Sequence, residues 1–299
     1  MIIVQLLGGL GNQMFQYALG RNLALMNNTE LKLDPSFLEN RVPFKKGFAF
    51  RNYDLDLFDI KATCAISDDI PLYNPNWKIN SIPHRLYNLY QIRRRGYQYL
   101  IEWKLNSYNT ILYDKRILKK KGNLYLAGYW ASPKYFYEIK DIIRAEFVFK
   151  EELSSKCIPF KEKITSSNSV CITIRRTDFL VVKAMGVHGL EYILKAVDHI
   201  LKKVSNPVFF IFSDDMDWCK THIKLDKAHY FVDEEFYGEK FKDKFELMRL
   251  CKHIINANSN FAFWAAWLSN NNDKVVITPE KYYHDRDSSD LVPNDWIKI

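Results

Sequence analysis

The second half of this chain alternates short apolar runs with amphipathic helical stretches, and that alternation restricts the fold more than any other feature. Val170-Cys171-Ile172-Thr173-Ile174 reads as a strand buried on both faces. Leu190, Ile193, Leu194, Val197, Ile200, Leu201 and Val204 then share one face of a helix. Pro207 introduces a strand over 208–212, a helix near 216–223 leads to a strand over 230–232, and a helix over about 240–250 precedes a short strand over 253–256. A helix over 261–269 and a strand over 275–278 follow. Strands separated by helices predict a parallel sheet. The first half opens in the same style, with a strand over 1–7, the turn Gly8-Gly9-Leu10-Gly11, a helix to about residue 26, a strand over 29–33 and another over 123–127. A length of 299 residues suits one large or two ordinary domains, and the hydrophilic stretch 150–168 is the candidate boundary.

In an open parallel sheet, ligands sit at the carboxyl ends of the strands. There the strand over 170–174 runs into Arg175-Arg176-Thr177-Asp178. Two guanidiniums ending a buried strand are costly unless an anion meets them. An arginine fork binds phosphate oxygens in a bidentate way and keeps its charge. The structural alternative is a salt bridge to a local carboxylate such as Asp178. Two more polar clusters follow strands, Ser213-Asp214-Asp215 and Asn256-Ala257-Asn258-Ser259-Asn260. Right-handed crossovers carry such strand ends to one edge, so the three clusters are expected to converge. Together they suit a nucleotide. Arg175 can hold a diphosphate, Asp214 or Asp215 can accept hydrogen bonds from guanine or ribose, and Asn258-Ser259 precede a helix whose N–H groups favour phosphate. Taken singly, Ser259 or Asn258 is an ordinary helix cap and Asp214 an ordinary turn residue.

The formal charge of +8 is concentrated in one place. Residues 78–121 hold 11 Lys/Arg against Glu102 and Asp114, a net of +9, which leaves −1 for the remainder. The same stretch carries Tyr87, Tyr90, Tyr97, Tyr99, Trp103, Tyr108 and Tyr113. It reads as a basic, aromatic helical insert, either simply solvated or in contact with sugar or anionic lipid headgroups. No nucleic-acid fold signature accompanies it, so no nucleic-acid partner is expected. The five cysteines form no CxxC pair and are read as reduced and mostly buried. Met1-Ile2-Ile3-Val4 runs into glycines without a basic leader, and no apolar run approaches the ~18 residues of a spanning helix. The expectation is a cytoplasmic protein.

Gly9-Leu10-Gly11 begins like a dinucleotide fingerprint, with Asp34 at a ribose-like distance, but Met14 stands where the third glycine belongs. The glycines still permit close backbone approach to a ligand, and Asn12 and Gln13 stand at the helix entrance. Asp54-Leu55-Asp56, Asp215-Met216-Asp217 and Asp285-Arg286-Asp287 match Asp-x-Asp, a pattern that arises by chance in a chain with this many acids. No histidines pair at HExxH-like spacing, so no catalytic metal is expected.

Gly8-Gly9-Leu10-Gly11-Asn12-Gln13-Met14-Phe15-Gln16-Tyr17-Ala18 resembles the opening signature of the α-1,2-fucosyltransferase family. Gly128-Tyr129-Trp130, Ile174-Arg175-Arg176-Thr177-Asp178, Phe212-Ser213-Asp214-Asp215 and Ile255-Asn256-Ala257-Asn258-Ser259-Asn260-Phe261 extend the resemblance, which runs to Trp296. It implies an α/β, GT-B-like architecture, with two Rossmann-like domains facing each other across a cleft. These are an acceptor-side domain over 1–155 and a GDP-fucose-binding domain over 156–299. It implies transfer of L-fucose from GDP-fucose to the 2-hydroxyl of a terminal galactoside, with inversion and no required metal or other cofactor.

By motif position, Arg175 would neutralise the β-phosphate, Asp178 would hold the arginine loop, Asp214 would read guanine, and Asn258, Ser259, Asn260 and Phe261 would cradle the nucleotide. Asn12 would approach the fucose and the acceptor, with Gly9, Gly11, Gln13, Arg176 and Ser213 contributing to substrate binding. Asp178, Asp34 and Glu30 are the formal candidates for a base. Thr173 departs from the family's usual histidine, Thr177 from its glycine, Ala131 from its glutamine, and Phe263-Trp264-Ala265-Ala266 from its Ser-Trp-Trp-Gly. A galactose-terminated, lipid-linked acceptor in O-antigen or capsule synthesis fits the basic segment, with peripheral contact at the cytoplasmic face of an anionic membrane. The competing classes are a fucosyltransferase-like binder without turnover and a dinucleotide-dependent oxidoreductase.

Overall fold

Each half of the chain is built on a parallel sheet. The computed structural model describes residues 1–39, 50–66, 69, 82–102, 112–181, 186–284 and 287–299. Two compact units divide it, Met1–Lys150 and Glu151–Ile299.

The first unit contains β1 (Ile2–Gln5), α1 (Leu10–Met26), β2 (Leu31–Asp34), β3 (Thr63–Cys64), α2 (Ile82–Arg94), β4 (Gln98–Ile101), β5 (Leu124–Ala127) and α3 (Lys140–Glu146). Its strands lie in the order β3-β2-β1-β5-β4, every pair parallel. The central β1 is all apolar where it is buried, at Ile2, Ile3 and Val4, as a strand covered on both faces must be. Helix α1 is also buried nearly all round, including Gln13, Gln16 and Asn22. Buried amides need partners. Gln16 donates to the carbonyls of Leu7 and Gly128 and accepts from Leu7 N, and Asn22 donates to Tyr135 O. Gly20 lets the helix close on the sheet, because a Cβ there would stand 2.6 Å from Val4.

The basic segment is not wholly helical. Helix α2 stops in a Schellman turn, with Gly96 at φ +80° donating to Arg93 O and Tyr97 to Ile92 O. The chain then enters β4, whose register pairs Gln98 through Ile101 with Leu124 through Ala127. Tyr97, Tyr99 and Ile101 pack on the small core formed by Ile3, Ile92, Tyr125 and Ala127. Trp103 and Tyr108 lie outside the described residues.

The second unit contains α4 (Ile158–Ser166), β6 (Asn168–Ile174), α5 (Thr177–Val181), α6 (Leu190–Lys203), β7 (Pro207–Ser213), α7 (Met216–His222), β8 (His229–Phe231), α8 (Lys242–Leu250), β9 (His253–Ile255), α9 (Asn260–Leu268), β10 (Val276–Thr278) and β11 (Ile297–Lys298). The strand order is β11-β10-β9-β6-β7-β8, again parallel throughout. Val170, Ile172 and Ile174 of β6 pack with Ile193, Ala196, Val197 and Ile200 of α6, whereas Leu194 and Leu201, expected on the same face, are exposed. Cys157, Cys171, Cys219 and Cys251 are buried free thiols and Cys64 is exposed. Among the described residues no helix is long and apolar enough to cross a membrane.

One buried ionic group ties α1 to α3. Glu146 accepts from the Tyr17 hydroxyl at 2.5 Å and pairs with Arg21 at 2.9 Å, with its side chain 8% exposed. Burial beside that carboxylate pushes the Tyr17 phenol above its ordinary range. Glu146→Ala strands the Arg21 charge, so the variant is expected to lose about 3 kcal/mol of stability. Urea unfolding of the variant beside the parent protein measures it.

Candidate active site

The register of the second sheet sets its polar edge. Ile174 pairs with Ser213 across β6 and β7, so the next residues, Arg175 and Asp214, leave adjacent strands side by side. Arg175 Nη1 lies 3.2 Å from Asp214 Oδ2. Asp214 Oδ1 accepts from Arg176 N at 2.8 Å, and Oδ2 from the Thr177 hydroxyl at 2.7 Å. One carboxylate thus holds three consecutive residues of the arginine loop. That is the bracing role the resemblance implies for Asp178, whose side chain lies outside what the structure describes. The Arg175 guanidinium also stands 5.0 Å from the Phe179 ring.

The two arginines are used differently. Arg176 Nε pairs with Asp215 Oδ2 at 3.0 Å, and its guanidinium stacks 4.0 Å over Trp218. Asp215 in turn caps α7 by accepting from Trp218 N. Arg176 therefore ties the loop to α7. Ser213 is also engaged within the protein. It is 1% exposed, its hydroxyl accepts from Asp215 N, and its carbonyl accepts from both the Tyr237 hydroxyl and Lys244 Nζ.

On the other side of β6, Thr173 accepts from Ala257 N at 2.7 Å and donates to Ile255 O at 3.3 Å. The residue that departs from the family's histidine thereby joins the β9–α9 turn to β6. Asn258 is buried and donates to Gly186 O, and Ser259 stands at the N-cap of α9 with its hydroxyl making no capping bond. Asn260 starts α9, and Phe261 packs edge-on against Phe245 at 5.0 Å. Arg175, Asp214 and residues 256–260 thus occupy the ends of three adjacent strands, as their spacing predicts.

The first unit has its own polar carboxyl edge. The turn before α1 depends on Gly8, at φ +75°, where a Cβ would stand 2.2 Å from Asn12 Nδ2. Gly9 has ordinary φ and Gly11 lies buried in the first turn of α1. Gln13 is fully buried, with its amide donating to Gly8 O and Asn52 O and accepting from Asp54 N. It braces the loop that carries Asn52 and Asp54. Glu102, missed in the sequence as a site residue, is buried and accepts from Tyr129 N at 2.6 Å and Trp130 N at 2.9 Å. Desolvation pushes its carboxyl upward against those two N–H groups. Gly128 is required there because a Cβ would meet Glu102 at 2.4 Å. Of the base candidates, Asp34 is buried and accepts from the Tyr125 hydroxyl and Ser36 N. Glu30 immediately precedes β2, at the sheet's amino edge and away from the site.

Lys244 was also missed. It sits beneath the arginine loop on α8, in line with Met248 and Cys251 at helical spacing, a lysine in an apolar stripe. That interruption was the available signal.

Two units, each built on a parallel sheet, are the α/β architecture of the GT-B fold class. Residues 1–299 match the family described as Glycosyl transferase family 11, and the chain belongs to it. An alpha-1,2-colitosyltransferase of Escherichia coli is 31% identical, with 100% of this chain and 98% of that protein covered. The O-antigen biosynthesis glycosyltransferase WbnK of Escherichia coli is 28% identical over 98% of each chain. A galactoside alpha-(1,2)-fucosyltransferase 1 of Aotus azarae is 28% identical over 48% of this chain and 42% of its own. The crystal structure of fucosyltransferase NodZ from Bradyrhizobium superimposes with a TM-score of 0.52 at 14% identity, covering 88% of this chain and 91% of that one.

Thr173→Val keeps the shape and removes the acceptor for Ala257 N. The expected loss is about 1–3 kcal/mol of stability. Faster amide exchange at Ala257 and Asn258, read by hydrogen–deuterium exchange, checks it.

Proposed function

We propose that this enzyme transfers L-fucose from GDP-fucose to the 2-hydroxyl of a terminal galactoside, with inversion and without a metal ion, in the synthesis of a surface glycan such as O-antigen. The supporting observation is Arg175 braced by Asp214 at the carboxyl end of β6. In the reaction the acceptor oxygen attacks the anomeric carbon, the bond from that carbon to the β-phosphate oxygen breaks, and GDP leaves with the electron pair. Negative charge grows on the diphosphate as the bond breaks. A guanidinium already held in place stabilises that charge without reorganising. The hydroxyl proton passes to a base, and Asn12 at the entrance of α1 orients acceptor or fucose.

The 31% identity to an alpha-1,2-colitosyltransferase favours a second donor sugar, colitose, on the same site chemistry. Release of GDP from GDP-fucose and from GDP-colitose, each with a panel of β-galactosides and with EDTA present, separates the two. An α-1,2 linkage in the product is expected. GDP binding without release would leave a binder, and a titration with NAD(P) that shows binding would favour the oxidoreductase. Arg175→Lys keeps the charge and loses the fork, so turnover is expected to fall about 10²–10³-fold. Near-normal turnover in a folded variant overturns the role.

The acceptor is proposed to be lipid-linked, with the enzyme on the cytoplasmic face of an anionic membrane. Ile92 buries one face of α2, while Leu86 and Tyr90, 62% and 61% exposed, share the opposite face with the exposed Arg93 and Arg94. Apolar side chains among arginines suit an anionic headgroup layer. Cosedimentation with phosphatidylglycerol vesicles is expected at low salt, with little on phosphatidylcholine. Binding indifferent to lipid charge and salt counts against it.

A further inference from the structure

The turn that follows β5 displays one side chain. Every residue from 124 to 133 is buried except Tyr129, which is 43% exposed. Its neighbours are held in a costly arrangement. Trp130 is buried at φ +53°, a left-handed backbone that bulky side chains rarely adopt. Its ring meets Tyr135 edge-on at 6.0 Å, and its carbonyl accepts from Ser132 N at 2.8 Å. Glu102 is taken out of water to accept from Tyr129 N and Trp130 N. Backbone strain and a buried carboxylate concentrated in one turn point to a function for the residue it presents.

The turn stands beside the entrance of α1. Strands β1 and β5 are paired and parallel, so the segments after them leave the sheet at the same carboxyl edge. Gln16 joins these segments by donating to Leu7 O and to Gly128 O. Asn12 precedes Gln16 by four residues on α1, which places it on the same helix face, one turn nearer that edge. Tyr129 is therefore presented next to the residue assigned above to the acceptor or the fucose.

We propose that Tyr129 is the platform for the acceptor's terminal galactose, with its ring stacked on the apolar face of the sugar. This rests on the galactoside reading above and names the residue that receives that substrate. In a β-galactopyranoside the axial 4-hydroxyl occupies one face and leaves the hydrogens on C3, C4 and C5 toward the other. That apolar patch fits an aromatic ring. In the 4-epimer, glucose, the C4 hydrogen moves to the opposite face and the patch is smaller. The 2-hydroxyl is equatorial, at the edge of the pyranose, so a sugar lying flat on Tyr129 keeps the reacting oxygen clear of the ring. A rigid turn suits this task, because one hydroxyl among several reacts only if the sugar is held in one orientation.

Initial rates of GDP release by the full-length protein test this, with GDP-fucose or GDP-colitose as donor and methyl β-galactoside varied. Tyr129→Ala is expected to raise KM for methyl β-galactoside about tenfold, with kcat and the donor KM unchanged, the pattern of a contact away from the reacting atoms. Tyr129→Phe keeps the ring and is expected to match the parent. The preference for methyl β-galactoside over methyl β-glucoside is expected to fall in Tyr129→Ala. Tyr137→Ala removes an exposed tyrosine outside the turn and leaves every constant unchanged. Should Tyr129→Ala not fold by circular dichroism, Tyr129→Leu, which keeps apolar bulk without a ring, is expected to show the same rise in KM. An unchanged galactoside KM in the ring-less variant, a loss in kcat alone, or a Tyr129→Phe variant equally impaired overturns this inference and leaves the galactoside reading intact. GDP release by the parent protein that methyl β-galactoside does not accelerate overturns the galactoside reading, and this inference with it.

Discussion

The Asp214 carboxylate is the constraint on which the second unit's polar edge depends. Three successive residues after β6 bind to it through a guanidinium, a main-chain N–H and a hydroxyl. A loop leaving a buried strand loses the sheet as a partner for its backbone, and an unpaired buried N–H is costly. Asp214 supplies the missing acceptor and also fixes where Arg175 stands. Because β6 and β7 are paired over seven residues, the carboxylate is itself rigidly placed. Precision at a binding site needs this kind of support from strand ends and neighbouring hydrogen bonds.

Around this anchor, each adjacent side chain is committed to holding another. Arg176, Asp215 and Trp218 secure the loop to α7. Tyr237 and Lys244 secure Ser213. Thr173 secures Ala257 on the far side of β6. The same division of labour recurs in the first unit, where Gln13 and Gln16 brace the glycine turn and Glu102 holds the Gly128–Trp130 turn. Signature motifs in this family member are therefore as much about building a shaped backbone as about touching substrate.

Much of this was legible beforehand, for identifiable reasons. Parallel strands buried on both faces are uniformly apolar, so β1, β6 and β7 declared themselves. Ile193, Val197 and Ile200 of α6 keep the helical period and pack on the sheet, while Leu194 and Leu201, at the margin of that stripe, face outward. Short strands at sheet edges carry less signal. The strand β4 hid within a basic, tyrosine-rich stretch that reads as helix, and only Gly96 marked where the helix stops. The two-residue strands β3 and β11 have almost no pattern of their own.

For the site, the sequence alone determined which polar clusters follow strands, and hence that Arg175, Asp214 and residues 256–260 end on one edge. That conclusion needs only the strand–helix alternation and the handedness of crossovers. Only the tertiary structure decided which members of each cluster serve the others. Arg175 and Arg176 are neighbours of identical chemistry, yet one pairs with Asp214 and the other is locked to Asp215 and Trp218. Lys244 and Glu102 are far from the motifs in sequence and are brought to their partners by packing. Burial and partner charge are properties of three-dimensional neighbours, and a residue's letter specifies neither.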